Sequence, residues 1–355
     1  MDVREFAFTL PQELIAQEPP AVRGSSRLLH LNRRTGARTH TSIDQFTTFL
    51  DAGDVVVVNN TKVFPARLLG RRDPSGGAVE CLLVSRVSTA HGGSDEVWEA
   101  LMHPGQKLAP GARVLFESGG SAVLEGEVLA RHFHGRRSIR LRTTNRDPVR
   151  DVVDAIGHVP LPPYIKRSDR ESDRDRYQTV FARERGSVAA PTAGLHFTPQ
   201  ILESIQARGV QVVELTLHVG YGTFQPVRVE RVEEHRLEAE HYEISPSAVA
   251  AVEAARSAGK RVVAVGTTTT RTLEALSRAN GGRLVAGAGE TDLFIYPGFE
   301  FRVVTGLLTN FHLPASSLIM LVAAFVGRDA VIEAYANAIA CGYRFYSYGD
   351  AMLIT

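Results

Sequence analysis

Cysteine is nearly missing from this chain of 355 residues, with only Cys81 and Cys341 present. Two thiols so far apart supply neither a disulfide framework nor a cysteine zinc cluster, and their scarcity suits a reducing cytoplasm. Long apolar runs are missing too. The most apolar stretch, LIMLVAAFV at 318–326, is far shorter than the roughly 20 residues that cross a bilayer and reads as a buried helix. The start, MDVREFAFTL, carries acidic residues and lacks the basic-then-apolar order of a secretory signal. Neither sign of charge dominates: 40 Lys and Arg face 39 Asp and Glu, a net charge of +1. A polyanion could therefore be gripped only by a local patch. HExxH is absent and the histidines lack ligand spacing, so no metal site is expected.

What is present is enough apolar material, 44% of residues, to bury a large core at a length that suits about two domains. The texture changes twice. DVVVV, NNTK and VFPARLL, over 54–69, read as strand, polar loop and strand. Between 71 and 153, short apolar runs such as CLLVSRV, EVWEALM and SIRLR recur at roughly the 8–12 residue spacing of a small barrel or sandwich. After GHVPLPPYIKR, strands alternate with helices. Ser245 and Pro246 open a helix that Gly259 can stop, and RVVAVG is a strand leading through TTTT into RTLEALSRAN. The fold class is therefore α/β: a large mixed domain over 1–70 and 154–355, with a small all-β insertion over 71–153. KRSDRESDRDR, at 166–176, is too charged for core and is expected to be a mobile loop.

Five segments can carry chemistry. GSVAAPTAGLHFT (186–198) keeps its backbone open to a ligand and presents Thr192 and His196, although an ordinary hydrogen bond also accounts for that histidine. ELTLHVGYGTFQPV (214–227) is a strand that breaks into glycines just past His218, where ligands of α/β sheets bind; a plain turn is the alternative. VGTTTTRTLE (265–274) offers hydroxyls and a helix N-terminus to an anion, or simply caps a helix. LLTNFHLPASSL (307–318) brings Asn310 and His312 to another helix start, and YRFYSYGDAML (343–353) interleaves aromatics with Arg344, suiting either base stacking or core. RHFHGRRSIRLRTTNRDPVR (131–150) holds seven arginines against one acid, Asp147. It is either a solvated strand edge or a phosphate-binding patch.

Taken in order, ELIAQEPP, VVNNTKVFPARLLG, GHVPLPPYI, GSVAAPTAGLHFT, TLHVGYGTFQPV, VGTTTTRTLE, TDLFIYPGFEF, LLTNFHLPASSLIML and YRFYSYGDAMLI closely resemble the S-adenosylmethionine:tRNA ribosyltransferase-isomerases of queuosine synthesis, the QueA family. The likeness covers practically the whole chain and is weakest over 71–153. It implies a large α/β domain containing a distorted barrel and an inserted small β-barrel. It also implies a transferase and isomerase that moves the ribosyl group of S-adenosylmethionine onto 7-aminomethyl-7-deazaguanine at the tRNA wobble position. Adenine and methionine are released, and the donor is a consumed co-substrate with no further cofactor. The expected enzyme is a cytoplasmic monomer without a membrane partner.

The resemblance places the chemistry on His196, His218, His235, Glu240, His312 and Asp350. It places substrate contacts on Asn60, Arg67, Thr192, Gly194, Gly220, Gly222, Thr223, Thr267, Thr268, Thr269, Arg271, Asn310, Phe311, Tyr343, Arg344 and Ser347. His218 and His312 are expected near the sulfonium ribose, and Asp350 or Glu240 at the amine. Thr267 to Thr270 with Arg271 would hold the methionine carboxylate or an RNA phosphate. Phe311 and Tyr343 would stack on a base, and Arg131, Arg136, Arg137, Arg140 and Arg142 would hold the tRNA backbone. The chain departs from the family at one point: Glu238 stands where H-x-M-H-x-E has its second histidine, so only His235 and Glu240 carry over from that motif. Two rival readings are an S-adenosylmethionine methyltransferase, disfavoured because NNTK stands where a glycine-rich turn belongs, and a catalytically silent tRNA-binding protein.

Overall fold

The computed structural model describes residues 1–89, 93–220, 222 and 227–355. Its strands are β1 (Arg27–Leu31), β2 (Arg38–Ser42), β3 (Val55–Asn59), β4 (Thr61–Val63), β5 (Arg67–Asp73), β6 (Ala78–Thr89), β7 (Asp95–His103), β8 (Arg113–Ser118), β9 (Ser121–Arg131), β10 (Arg136–Thr143), β11 (Glu184–Ser187), β12 (Gln211–Leu217), β13 (Glu240–Ile244), β14 (Val262–Val265), β15 (Gly287–Thr291), β16 (Gly306–Asn310) and β17 (Ala351–Ile354). Its helices are α1 (Val149–Ile156), α2 (Asp173–Arg176), α3 (Pro199–Ala207), α4 (Pro246–Ser257), α5 (Thr267–Ala279), α6 (Ser317–Val326) and α7 (Arg328–Ala340). Two units result. One comprises 1–62, 162–167 and 176–355, the other 63–161 and 168–175. The first barrel strand, β5, thus begins ahead of the composition change at 71.

The larger unit is built on a nine-stranded mixed sheet in the order β15-β13-β12-β3-β14-β16-β17-β1-β2. β12, β3, β14 and β16 run parallel. Such strands are covered on both faces, and their sequences show it: Val55 and Val57 of β3 face one core while Val56 and Val58 face the other. Val262 and Ala264 of β14 alternate with Val263 and Val265 in the same way. Helices α4 to α7 supply one core, through residues such as Val252, Leu273, Phe325 and Tyr335. Ile201 and Ile205 of α3 and Phe46 of the short 3-10 helix Ile43–Phe49 supply the other. The predicted helix after Ser245 is α4, with the Ser245 hydroxyl accepting from Ala248 N–H.

The smaller unit closes β10-β7-β6-β5-β8-β9 into an antiparallel barrel. Alternate residues fill it, among them Cys81, Ala100, Phe116 and Leu141, and burial pushes the Cys81 thiol up to about 12. Of the charged segment expected to be mobile, residues 168–175 are held within this unit. The Asp169 carboxylate accepts from Val159 N–H at 3.0 Å and meets His158 Nδ1 at 3.0 Å, and Asp173 is buried.

The arginine-rich stretch obeys strand parity. Arg136, Arg140 and Arg142 of β10 share one face, where cross-strand carboxylates meet them: Glu99 at 3.5 Å, Glu127 at 3.3 Å and Asp95 at 2.8 Å, respectively. Arg137 points the other way and is 1% exposed; its guanidinium donates to the Leu108, Arg136 and Gly105 carbonyl oxygens. Buried and bonded to three carbonyls, it is out of reach of a phosphate, which corrects its assignment to the tRNA backbone. Arg137→Ala would strand these buried carbonyls and is expected to lower barrel stability by about 3 kcal/mol, read as a lower urea midpoint. Arg140→Ala, at a partly exposed pair, is expected to cost under about 1 kcal/mol. Equal losses would refute this division.

Candidate active site

The site is made where parallel strands end. At the carboxyl end of β14, Gly266 adopts φ +91°, a left-handed conformation that turns the chain directly into α5. Its N-cap, Gly266, offers no side chain, and among the described residues its first N–H groups are left open. The threonines behind them spend their hydroxyls on their own helix. Thr269, Thr270 and Thr272 donate to the carbonyls of Val265, Gly266 and Thr268 at 2.8, 3.0 and 3.0 Å. Thr267 and Thr268 instead line a cavity of about 170 Å³.

β16 supplies the opposite wall. Thr309, Asn310 and His312 line the cavity, followed by Leu313, Pro314 and Ala315, the last at φ +54°. The Ser316 hydroxyl then caps α6 by accepting from Ile319 N–H. His312 Nε2 lies 2.7 Å from the Thr309 hydroxyl, and its backbone N–H donates to the Tyr335 hydroxyl at 3.0 Å. Thr192, Tyr164, Tyr346 and Ser347 complete the polar lining. The Tyr164 hydroxyl bonds the Ser347 hydroxyl, and its ring stacks on that of Tyr346 with centroids 4.4 Å apart.

His196 stands behind this wall. Its Nδ1 is 2.9 Å from the Ser26 hydroxyl and its Nε2 is 3.1 Å from Asn310 Nδ2. Burial lowers its pKa to about 4, and that of His312 to about 3. Both imidazoles are therefore neutral near pH 7. Among the described residues, no Asp or Glu lines the cavity and no group of three His, Cys, Asp or Glu could hold a metal ion.

Of the anticipated residues, Thr192, Thr267, Thr268, Asn310, His312 and Ser347 meet in the cavity, with His196 one hydrogen bond away. Others stand elsewhere. His218 is on β12's exit, 2.7 Å from the Thr61 hydroxyl and stacked on His241; burial and that second imidazole lower its pKa. Only its neighbour Val219 reaches the cavity. A Cβ on Gly186 would sit 2.6 Å from the His218 ring, which explains that glycine. His235 packs edge-on to Phe294 with centroids 5.0 Å apart. Glu240 and Arg271 form a buried pair at 2.6 Å; Glu240 also accepts from Gly220 N–H, and Arg271 donates to Leu293 O. Arg271 is thus committed, and Glu240 fixes the Gly220 backbone. Asp350 accepts from the Arg27 and Arg344 backbone N–H groups and from the Arg27 guanidinium, so it anchors the 344–350 turn.

Asn60 bridges Glu214 and Thr216 within the sheet, and a Cβ on Gly194 would strike Phe181 and Thr179 at 2.8 Å. The Arg344 guanidinium donates to Tyr348 O. Gly222 lies beside Glu238, Arg67 is clamped by both Glu80 oxygens in the barrel unit, and Thr223 lies outside the described residues. Two assignments need correction. Phe311 and Tyr343 are 0% and 1% exposed within a cluster that includes Tyr335 and Phe345, and Arg27 covers the Tyr343 face at 4.1 Å. Neither offers a ring face to a base. Sequence reasoning passed over Tyr164 and Tyr346 as cavity residues. Tyr346 at φ +73° is a backbone outlier invisible in sequence, whereas Tyr164 stood in the quoted proline-rich motif.

The family model described as queuosine biosynthesis protein matches residues 3–354. The S-adenosylmethionine:tRNA ribosyltransferase-isomerase of Desulfitobacterium hafniense is 48% identical over 354 residues, 100% of each chain. That of Heliobacterium modesticaldum is 46% identical, again over 100% of each. A crystal structure of S-adenosylmethionine tRNA ribosyltransferase from Thermotoga maritima matches with a TM-score of 0.55 at 37% identity, covering 99% of this chain and 100% of that one.

The two buried imidazoles make stability depend on pH. Their folded pKa values lie below the 6.5 of a free histidine, so between about pH 6.5 and 4 the unfolded chain binds more protons. Their contribution is whole above that window and is lost as pH falls through it, by up to about 1.4 kcal/mol per pH unit for each histidine. Urea unfolding at about pH 7 and about pH 5 is expected to show the loss, and His312→Gln to reduce it. An unchanged difference in that variant would mean His312 is not buried as a neutral ring.

Proposed function

The chain belongs to the queuosine biosynthesis protein family, and we propose from that premise that it transfers and isomerises the ribosyl group of S-adenosylmethionine onto 7-aminomethyl-7-deazaguanine at the wobble position of tRNA. The products are epoxyqueuosine-tRNA, adenine and methionine. One observation carries the reading at the level of chemistry: the open N-terminus of α5 and a neutral imidazole, His312, line the same cavity. A helix N-terminus holds an anion through N–H groups and its dipole. The methionine carboxylate suits Thr267 and Thr268, an RNA phosphate being the alternative.

The reaction needs two proton removals, from the sulfonium-activated ribose carbon and from the acceptor ammonium, and one protonation, of departing adenine. His312 is held neutral, with Nε2 engaged by Thr309; in the tautomer whose Nε2–H donates to the Thr309 hydroxyl, Nδ1 is the lone pair that would receive a proton. Thr309 orients the ring. The donor is consumed, and the reading needs no other cofactor. Among the described residues no helix is long and apolar enough to cross a membrane.

The barrel unit is assigned to RNA. Phe133, at the β9–β10 turn, is 88% exposed next to exposed Arg131 and His132, a stacking ring among basic residues. Arg136, Arg140 and Arg142 would exchange their carboxylate partners for phosphates, at a cost that makes them weaker contacts than their number suggests.

Incubating the protein with S-adenosylmethionine and an anticodon stem-loop bearing the aminomethyl base is expected to release adenine and methionine. S-adenosylhomocysteine instead would indicate methyl transfer and overturn the assignment. His312→Ala is expected to slow adenine release about 10²–10⁴-fold while binding S-adenosylmethionine nearly as well; a loss confined to binding would remove its role as base. Replacing Arg131 and Phe133 by alanine is expected to weaken stem-loop binding by about tenfold at low salt. Unaltered affinity would take the hairpin tip out of the RNA contact.

A further inference from the structure

The Asn310 amide is locked in one orientation. Its nitrogen lies 3.0 Å from the Tyr346 carbonyl oxygen, which can only accept, so the amino group must face it. The second amino hydrogen meets His196 Nε2 at 3.1 Å. That nitrogen must therefore be an unprotonated acceptor, and the proton of the neutral ring sits on Nδ1, donating to the Ser26 hydroxyl at 2.9 Å. An imidazolium would set N–H against N–H. Both hydrogens of the amide are spent on the wall, and Oδ1 is left. It is buried in a side chain that is 2% exposed and lines the cavity, and it has no hydrogen-bond partner among the described residues.

A buried, unpaired acceptor costs about 1–3 kcal/mol unless a water or a ligand satisfies it, and a ligand that displaces the water must supply a donor in its place. A cation is a poor occupant, because no carboxylate among the described residues lines the cavity to share its charge. The partner that fits is a neutral, planar amino group. On the reading above, both substrates carry one: the 6-amino group of adenine and the 2-amino group of the deazaguanine. The aliphatic aminomethyl group, cationic in water, is not such a donor.

We propose that Asn310 Oδ1 is a specificity-determining acceptor for the exocyclic amino group of a nucleobase, and that His196 is a positioning residue that holds the amide in the accepting orientation. This rests on the proposed substrates but not on the ribosyl-transfer step. His196 then takes no proton during turnover. Its work is to exclude the flipped amide, which would turn an N–H₂ toward the base and reject it.

Calorimetric binding with two matched pairs of probes tests the assignment. The donor pair is S-adenosylmethionine and S-inosylmethionine, in which an oxygen replaces the 6-amino group. The RNA pair is a stem-loop with 7-deazaguanine and one with 7-deazahypoxanthine, which lacks the 2-amino group. In one pair the partner without the amino group is expected to bind about tenfold or more weakly to the unmodified protein, and that pair identifies the base. The preference is expected to collapse toward unity in Asn310→Ala and in His196→Ala. It should return in His196→Gln, whose Oε1 accepts near the position of Nε2; a merely structural histidine would not show this rescue of preference. Equal binding within both pairs by the unmodified protein overturns the proposal, even if every variant fails to fold. So does a preference that survives Asn310→Ala. Adenine release is scored separately: a protein that prefers the amino partner but releases no adenine loses the proposed reaction and keeps this site.

Discussion

The side-chain nitrogen of Asn310 donates to two acceptors drawn from different parts of the chain, the Tyr346 carbonyl and the His196 ring. Those two bonds join the end of β16 to the 3-10 turn Thr192–His196 and to the turn that precedes β17. Tyr346 sits there at φ +73°, which a bulky residue adopts only when its surroundings impose it. The imposing contacts are identifiable: its N–H donates to Phe311 O at 3.0 Å, its carbonyl accepts from Asn310, and Tyr164 stacks on its ring. The protonation state of His196 follows from the same geometry. A wall assembled this way stays fixed only while the imidazole stays neutral, so burial is a condition of the site's shape.

The floor of the cavity depends on a different economy of hydrogen bonds. Four consecutive threonines favour strand over helix by intrinsic preference, yet they open α5. Thr269 and Thr270 return their hydroxyls to carbonyls one turn back, on β14 and Gly266, so the β-branched residues knit the helix start onto the sheet. Asn59, at the end of β3, reaches Leu217 O at 2.9 Å and Thr268 Oγ1 at 3.5 Å, tying two strand ends to the helix. The N–H groups of the first turn are left open, whereas the hydroxyls of Thr269 and Thr270 are already spent.

How much of this was legible in the sequence follows from the kind of signal each feature leaves. Strand ends followed by hydroxyls and a helix mark a crevice in an α/β sheet, and Thr267, Thr268, Asn310 and His312 came from such segments, whereas Thr192 came from the tight loop of 186–198 and Ser347 from the aromatic-rich run of 343–353. The parity of a strand is equally visible: IRLR alternates, so Arg137 had to point opposite to Arg136 once β10 was granted. The partners of a charge are not visible. Seven arginines over 131–150 looked unbalanced because the balancing carboxylates lie on β7 and β9, fixed only by barrel register. Aromatic residues were ambiguous for a related reason. Phe311 and Tyr343 have the composition of a stacking platform, and only packing shows their faces already occupied by Tyr335, Phe345 and Arg27.

The fate of the carboxylates constrains how an amine can be activated here. Glu240 and Asp350 were the natural groups to receive a proton from an acceptor ammonium, and both are buried against arginine: Glu240 against Arg271, Asp350 against Arg27. Their oxygens are taken up by these arginines and by the backbone N–H groups of Gly220, Arg27 and Arg344, and neither residue lines the cavity. The cavity itself, apolar along Leu313, Pro314 and Val219 and without a carboxylate among its described lining residues, disfavours any ammonium that enters it. Under the proposed reaction, desolvation therefore does part of the work usually given to a carboxylate, by lowering the amine's pKa as water is excluded. The same exclusion holds His312 neutral, so the amine and the imidazole both enter the reaction uncharged. A carboxylate in the cavity would favour the charged form of the amine and of the imidazole together, and would undo both.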